Sequence, residues 1–202
     1  MARSMWDERY AGGEYLFGTA PNAFLVRQRH RLEPGMRCLA VADGEGRNGV
    51  WLAEQGLTVL SVDSSAVASN KAGALAQQKG VNLNLEVADL LNWEWGENRF
   101  DFVVAIFVQF ATPEQRAQLF VSMKQCLTPG GVLLLQGYTP RQLDYVTGGP
   151  PVAENMYTEP LLRAAFSDME LLHLEEHDSE IHEGVGHDGM SALIDVVARK
   201  PK

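Results

Sequence analysis

Cysteine is scarce in this 202-residue chain: Cys38 and Cys126 are the only two. Neither has a C-x-x-C partner and each stands in an apolar stretch. A disulfide framework and a cysteine-built zinc site are thereby excluded, and two buried reduced thiols in a reducing compartment are expected. Long hydrophobic runs are missing too, none approaching the ~18 residues a membrane span needs. The opening MARSMWDERYAGGEYLFG puts charges and glycines where a signal peptide would carry an apolar centre, so a cytoplasmic chain is expected. Positive charge is also in short supply, with 17 Lys and Arg against 26 Asp and Glu and a formal net charge of −9. That balance argues against a nucleic-acid backbone as substrate, because phosphate binding calls for a basic surface.

What is present is ordinary for a folded domain. Hydrophobic residues make up 46% and charged residues 21%, which argues against disorder. The length suits one domain with a sizeable core. Segment 5–17 reads as a short helix with Ser4 as a cap, and a second helix runs from about Ala23 to Leu32 behind Asn22. Then strands and helices alternate. RCLAVAD, LTVLSVD, NLNLEVAD, FDFVVAIF and VLLLQGY read as strands, and RNGVWLAEQ, SSAVASNKAGALAQQK and TPEQRAQLFVSMKQCL as helices between them. The last helix carries a capping box, Thr112 with Gln115, with Pro113 at its first position and Leu119, Met123 and Leu127 on its inward face. Pro129-Gly130-Gly131 reads as a turn before the fifth strand. Thr158 and Pro160 open one more helix, and MELLHLEEH and ALIDVVARK close the chain as a hairpin. The pattern predicts an α/β, Rossmann-like doubly wound fold with seven strands, mostly parallel, ending in an antiparallel pair.

Between the first strand and its helix lies Gly44-Glu45-Gly46-Arg47-Asn48-Gly49, a G-x-G-x-x-G match. Glycine lets backbone turn sharply and approach a ligand, and the following helix start offers free N–H groups to an anion. A pyrophosphate and the carboxylate of S-adenosylmethionine both suit that end. Asp63, closing the second strand, can accept from two ribose hydroxyls, which both cofactors possess. Asp89, closing the third, reads either as an acceptor for an adenine amino group or as a cap on a short helix from Leu90 to Trp93.

With these residues in view the chain resembles the class I S-adenosylmethionine-dependent methyltransferases, and is similar to the small tellurite-resistance and thiopurine-type enzymes. The resemblance rests on LAVADGEGRNGVWLA, VLSVD, VADLL, FDFVVAIFVQF, LTPGGVLLLQGYTP and SALIDVVARKP, with YLFGTAPNAFL looking like a lid. It implies one methyltransferase domain over 1–202, with 1–32 a helical lid segment, and S-adenosylmethionine as cofactor. It assigns cofactor contacts to Ala42, Asp43, Gly44, Gly46, Asp63, Ser64, Asp89, Leu90 and Phe107, with Gly46 a place where a side chain would block the ligand. It implies transfer of a methyl group to a small soluble nucleophile, a soft sulfur compound or a metalloid oxyanion. The family's usual first glycine is Ala42 here and its acidic position Ala40, which leaves Asp43 or Glu45 to supply a carboxylate.

Methyl transfer from a sulfonium requires alignment and exclusion of water more than a catalytic triad, and none is found. Candidates for the acceptor side are Gln109 after the fourth strand, Tyr138 after the fifth, and Arg47, which reads either as a clamp for an anionic substrate or as a surface arginine. Trp6, Tyr10, Tyr15 and Phe17 read as an aromatic substrate lid or as simple packing. The loop from Thr139 to Tyr157 is long and reads as a cover for the substrate pocket. His177, His182 and His187, at five-residue spacing, read as the polar turn of the last hairpin rather than a metal site. The expected partner is a small molecule, with no nucleic acid and no membrane. The alternatives are a nicotinamide-dependent oxidoreductase and a non-catalytic S-adenosylmethionine sensor.

Overall fold

The computed structural model describes residues 2–145 and 147–202, with the side chains of 2–4 left out. Its strands are β1 (Arg37–Val41), β2 (Thr58–Asp63), β3 (Asn84–Val87), β4 (Phe100–Ile106), β5 (Leu127–Tyr138), β6 (Glu170–His182) and β7 (Asp188–Arg199). They form one sheet in the order β3-β2-β1-β4-β5-β7-β6. The pairs among β1 to β5 are parallel, and β7 lies antiparallel between β5 and β6. This is the seven-stranded Rossmann-like sheet with an antiparallel end that the alternation predicts.

Side-chain parity explains the two layers. On β1, Leu39 and Val41 enter one core while Cys38 and Ala40 enter the other; on β4, Val103 and Ala105 oppose Phe102, Val104 and Ile106. A strand covered on both faces must be apolar at both parities. Helices α2 (Ala23–Arg27) and α3 (Arg47–Glu54) supply Phe24, Leu25 and Leu52 to one face. Helices α5 (Pro113–Cys126) and α6 (Glu159–Ala165) supply Leu119, Phe120, Met123 and Leu162 to the other. Both cysteines are buried and free.

Local chemistry sets most ends. The α5 capping box forms in full: Gln115 N–H donates to Thr112 Oγ1 at 3.4 Å and Thr112 N–H to Gln115 Oε1 at 3.0 Å. Helix α4 (Ala66–Lys79) starts on Ser65, whose Oγ accepts from Ala68 N–H at 3.1 Å, and stops at left-handed Gly80.

Some expectations fail at boundaries. The first helix, α1, spans Ala2–Tyr10 rather than 5–17, so Ser4 falls inside it and its side chain lies outside the described ones. Helix α2 ends at Arg27, with a single 3₁₀ turn over Arg29–Arg31. Leu127 begins β5 instead of completing the α5 face. Pro129-Gly130-Gly131 is not a turn ahead of β5 but an irregularity inside it, where pairing jumps from Phe100–Leu127 to Phe102–Val132. A bulge is where a strand tolerates a residue without an N–H. Leu90–Asn92 is a turn and not a helix, closed by Asn92 N–H on the Asp89 carbonyl at 2.9 Å. The last hairpin is longer than expected, leaving only residues 183–187 as its tip.

Candidate active site

The carboxyl ends of β1, β2, β4 and β5 meet three covers: the glycine loop, residues 14–18 and the hairpin tip. In the glycine loop, Ala42, Gly44 and Gly46 all have left-handed φ, at 48°, 58° and 85°. Asp63 ties this loop to the next: its carboxylate accepts from Gly44 N–H at 2.9 Å and from Ser65 N–H at 2.8 Å. Burial nevertheless holds its pKa above the usual carboxylate range. Ser64 follows, partly exposed.

Gly46 has a packing role beside the one expected. A Cβ there would lie 2.5 Å from Ala72 Cβ and 2.9 Å from Ala72 Cα. The missing side chain therefore lets α4 approach the loop, and a larger residue would strike α4 before any ligand.

Asp43 points inward. It accepts from Ser61 Oγ at 2.8 Å and from Gly49 N–H at 3.2 Å. A sliver of its surface remains exposed, but the carboxyl is surrounded by chain, and that enclosure pushes its pKa up to about 7 against the two hydrogen bonds. The native state therefore holds a proton on Asp43 that the unfolded chain releases above about pH 4. Its contribution makes stability fall as pH rises from about 4 to 7, then level off. Asp43→Asn removes that contribution, so the melting temperature of the variant minus that of the parent should climb across this window in a pH series. A flat difference would show that Asp43 is ionised throughout.

Glu45 is committed as well. Its oxygens accept from Lys71 Nζ and from Leu16 N–H, both at 2.7 Å. Leu16 in turn accepts from Gly186 N–H of the hairpin tip at 3.1 Å. A Cβ on Gly184 would come within 2.5 Å of Gly18 N, so the tip and the strap at 14–18 touch backbone to backbone. All four lid candidates join this assembly. Trp6 stacks on Tyr10 at 5.5 Å, Tyr10 meets Phe17 edge-on at 6.3 Å, and Phe17 packs on His187 at 4.4 Å. Tyr15 donates to the Lys71 carbonyl at 3.1 Å. From α1, Asp7 accepts from Ser65 Oγ at 2.5 Å, beside the carboxylate of Asp63.

The acceptor-side candidates part ways. Gln109 is a splint: its Nε2 donates to the Tyr138 carbonyl at 2.9 Å and its Oε1 accepts from Tyr138 N–H at 2.7 Å. Its amide is thus turned to β5 and not to a substrate. Phe107 holds a left-handed φ of 57°, strained for a bulky residue and characteristic of functional corners. Its ring stacks on Tyr138 at 4.7 Å and meets His187 at 4.3 Å. Arg47 is no surface arginine. Its side chain is 7% exposed and Nη2 donates to Glu183 Oε2 at 2.6 Å. Asp89 stands exposed, accepting from Leu91 N–H at 3.0 Å and Asn92 Nδ2 at 2.8 Å, and Leu90 is buried beside it.

Glu183 is the residue that sequence reasoning missed, and His187, read as part of the polar turn of the last hairpin, lies in the assembly instead. His187 is buried, and desolvation, with the Arg47 charge, pulls its pKa down to about 3, so the ring is neutral at physiological pH. His182 is exposed against Asp188 and His177 sits 3.2 Å from Asp195 on β7, so the three histidines point to three places. Among the described residues no group of three or more His, Cys, Asp or Glu is arranged to hold a metal. The available signal was Gly184 and Gly186 interleaved between Glu183 and His187, a tip thin enough to fold over a site.

Residues 38–131 match the methyltransferase-domain family. An uncharacterized protein of Mycobacterium tuberculosis is 30% identical over 142 residues, 68% of this chain and 50% of the relative. An uncharacterized methyltransferase of Synechocystis is 30% identical over 125 residues, 61% of this chain and 55% of that one. The chain thus spans about half the length of the curated relatives it matches. Among solved structures, one from work on conversion of a disulfide bond into a thioacetal group in echinomycin biosynthesis aligns with a TM-score of 0.82 at 18% identity, covering 100% of this chain and 92% of the other. TehB from Haemophilus influenzae gives 0.74 at 22%, over 98% and 66%. The N-methyltransferase NodS from Bradyrhizobium japonicum, in complex with S-adenosylhomocysteine, gives 0.74 at 14%, over 99% and 98%. The segment holding the glycine loop, Asp63, Asp89 and the Phe107 corner therefore matches a methyltransferase domain in sequence, and the whole chain has the fold of solved methyltransferases.

Proposed function

We propose that the chain is an S-adenosylmethionine-dependent methyltransferase acting on a small nucleophile, of the soft sulfur or metalloid oxyanion class, in the cytoplasm. The reading takes 1–202 as one domain with 1–32 as its lid. The observation that carries it is the pairing of the left-handed glycine loop with Asp63 beneath an aromatic cover. A carboxylate has about four acceptor positions, and on Asp63 the backbone N–H groups of Gly44 and Ser65 take two, with Ser64 N–H also bonded to it. What is left suits a ribose hydroxyl. Asp89 has a reserve for an adenine amino group, with Leu90 as an apolar neighbour. Ala42, Gly44 and Ser64 bring backbone close, and Phe107 walls the side toward the acceptor.

S-adenosylmethionine supplies an electrophilic methyl group and a sulfonium leaving group. The chain's own work is then positional. Asp63 and the glycine loop fix the cofactor end. Phe17, Phe107 and Tyr138 exclude water from the line of attack. His187 is too weakly basic to take a proton and therefore does not serve as a general base.

Calorimetric titration with S-adenosylhomocysteine, run beside reduced nicotinamide dinucleotide, tests the reading. Micromolar binding of the first alone is expected. Binding of the dinucleotide alone would replace this reading with an oxidoreductase. Asp63→Ala should weaken S-adenosylhomocysteine by about tenfold or more. Unchanged affinity would remove Asp63 from the site.

A further inference from the structure

Three polar atoms are buried under the hairpin tip: Arg47 Nη1, with no hydrogen-bond partner among the described residues, Tyr138 Oη, with only the Ser191 hydroxyl beside it, and His187 Nδ1, again with no partner. Their residues are 7%, 1% and 7% exposed. Buried polar groups are ordinarily satisfied, and each exception calls for a reason.

The three residues adjoin one another. The Tyr138 and His187 rings are 5.7 Å apart. A Cβ built on Gly148 would meet Gly186 O at 2.9 Å, Tyr138 Oη at 3.3 Å and His187 Cδ2 at 3.5 Å, so this backbone packs against both the phenol and the imidazole. Glu183 Oε2 is 2.6 Å from Arg47 Nη2 and 4.0 Å from His187 Nδ1. Phe107 and Phe17 pack on His187 from either side.

The cluster is also held in place from behind. Glu183 Oε1 accepts from Asn22 Nδ2 at 2.9 Å. Asn22 Nδ2 donates as well to Gln136 Oε1 at 2.7 Å, and Gln136 Nε2 donates to buried Asp195 at 2.5 Å. Glu183 thus has its charge met by Arg47 and Asn22, and Arg47 keeps one terminal nitrogen for something else. Arg47 Nη1 is a pure donor, and Tyr138 Oη keeps its proton because burial holds the phenol pKa up. His187 donates from Nδ1 in one tautomer.

Resting on the methyltransferase reading, we propose that Arg47 Nη1, Tyr138 Oη and His187 Nδ1 form a subsite for an anionic oxygen group on the methyl acceptor. Three buried donors, two of them without a partner, fit a carboxylate or an inorganic oxyanion, whose oxygens accept and do not donate. Charge-assisted bonds in a water-poor pocket are the strong ones. The subsite selects acceptors by the group that stays behind, leaving the nucleophilic atom free to face the methyl donor.

The test uses the whole chain saturated with S-adenosylhomocysteine and titrated calorimetrically with sulfite, mercaptoacetate and 2-mercaptoethanol. Sulfite stands for an inorganic oxyanion and mercaptoacetate for an organic carboxylate; 2-mercaptoethanol is the neutral counterpart of the latter. Binding of sulfite or mercaptoacetate, and not of 2-mercaptoethanol, is expected, and which of the two binds tells the inorganic source from the organic one. Tyr138→Phe keeps the ring that packs on Phe107 and removes only the hydroxyl, so it should weaken the anion by about tenfold with S-adenosylhomocysteine binding still saturable. Arg47→Lys should weaken it by about tenfold or more, because the fork is lost. Saturable S-adenosylhomocysteine binding with no anion binding, equal binding of 2-mercaptoethanol, or anion binding untouched in both variants would overturn the subsite alone. Absence of S-adenosylhomocysteine binding would overturn the methyltransferase reading and the subsite with it.

Discussion

Gly46→Val lowers the melting temperature by on the order of 10 °C, and does so before any ligand is added. Two terms add up. At a φ of 85° a β-branched residue is strained by about 1–2 kcal/mol. Its Cβ would sit 2.5 Å from Ala72 Cβ, and overpacking of that kind costs about 1–3 kcal/mol more. Neighbouring backbone cannot yield cheaply, since Ala72 Cα is itself within 2.9 Å. Gly80→Val is the control. Its φ is 68° but nothing lies within 4 Å of the added Cβ, so it carries the strain without the collision. Scanning calorimetry of the two variants should separate them by several degrees. Equal losses would mean that α4 does not need Gly46 to reach the loop.

Glu183→Gln has a comparable effect by a different route. The Arg47–Glu183 pair is 7% and 10% exposed, and removing one partner strands a buried charge at a cost of about 3–5 kcal/mol. The damage should concentrate where Glu183 works. Amides of Leu16 and Gly186, which link the strap and the tip, lose hydrogen-exchange protection, while amides of β4 keep theirs. The companion experiment is Arg47→Met with Glu183→Leu. Replacing both charges by apolar side chains is often neutral, so this double variant should regain most of the lost melting temperature. If Glu183→Gln alone leaves exchange at Leu16 and Gly186 unaltered, the ion pair is not what fastens the tip.

The sheet was readable because each strand states its own burial. FDFVVAIF can only be a strand covered twice, and Thr112-Pro113-Glu114-Gln115 can only open a helix. Asp63 and the glycine loop were found for the same reason, as they sit at strand ends whose positions periodicity fixes. What escaped is made by long-range meeting. Nothing local distinguishes Gly46 as a packing glycine from Gly46 as a ligand-binding one, since the deciding atom belongs to Ala72. Arg47 reads equally as a substrate clamp and as a solvated arginine until Glu183 arrives from the far end of the chain. Gln109 looks free to face a substrate because its partner is the backbone of Tyr138, a group with no sequence signature. His187 stood out in the sequence but read as part of a polar, exposed turn, because its burial depends on Phe17 and Phe107 from distant segments.

The roof of the site has a consequence for the order of events during synthesis. Arg47 and Glu183 are 136 residues apart, and Asn22 and Glu183 are 161 apart. At ~5–20 residues per second, Arg47 leaves the ribosome on the order of ten seconds before the residue that neutralises it. Through that interval the glycine loop, β1 and β2 can assemble, but the guanidinium stays in water and the strap at 14–18 has no tip to dock against. The pocket is therefore a late product of translation, sealed by a hairpin that a nascent chain does not yet possess.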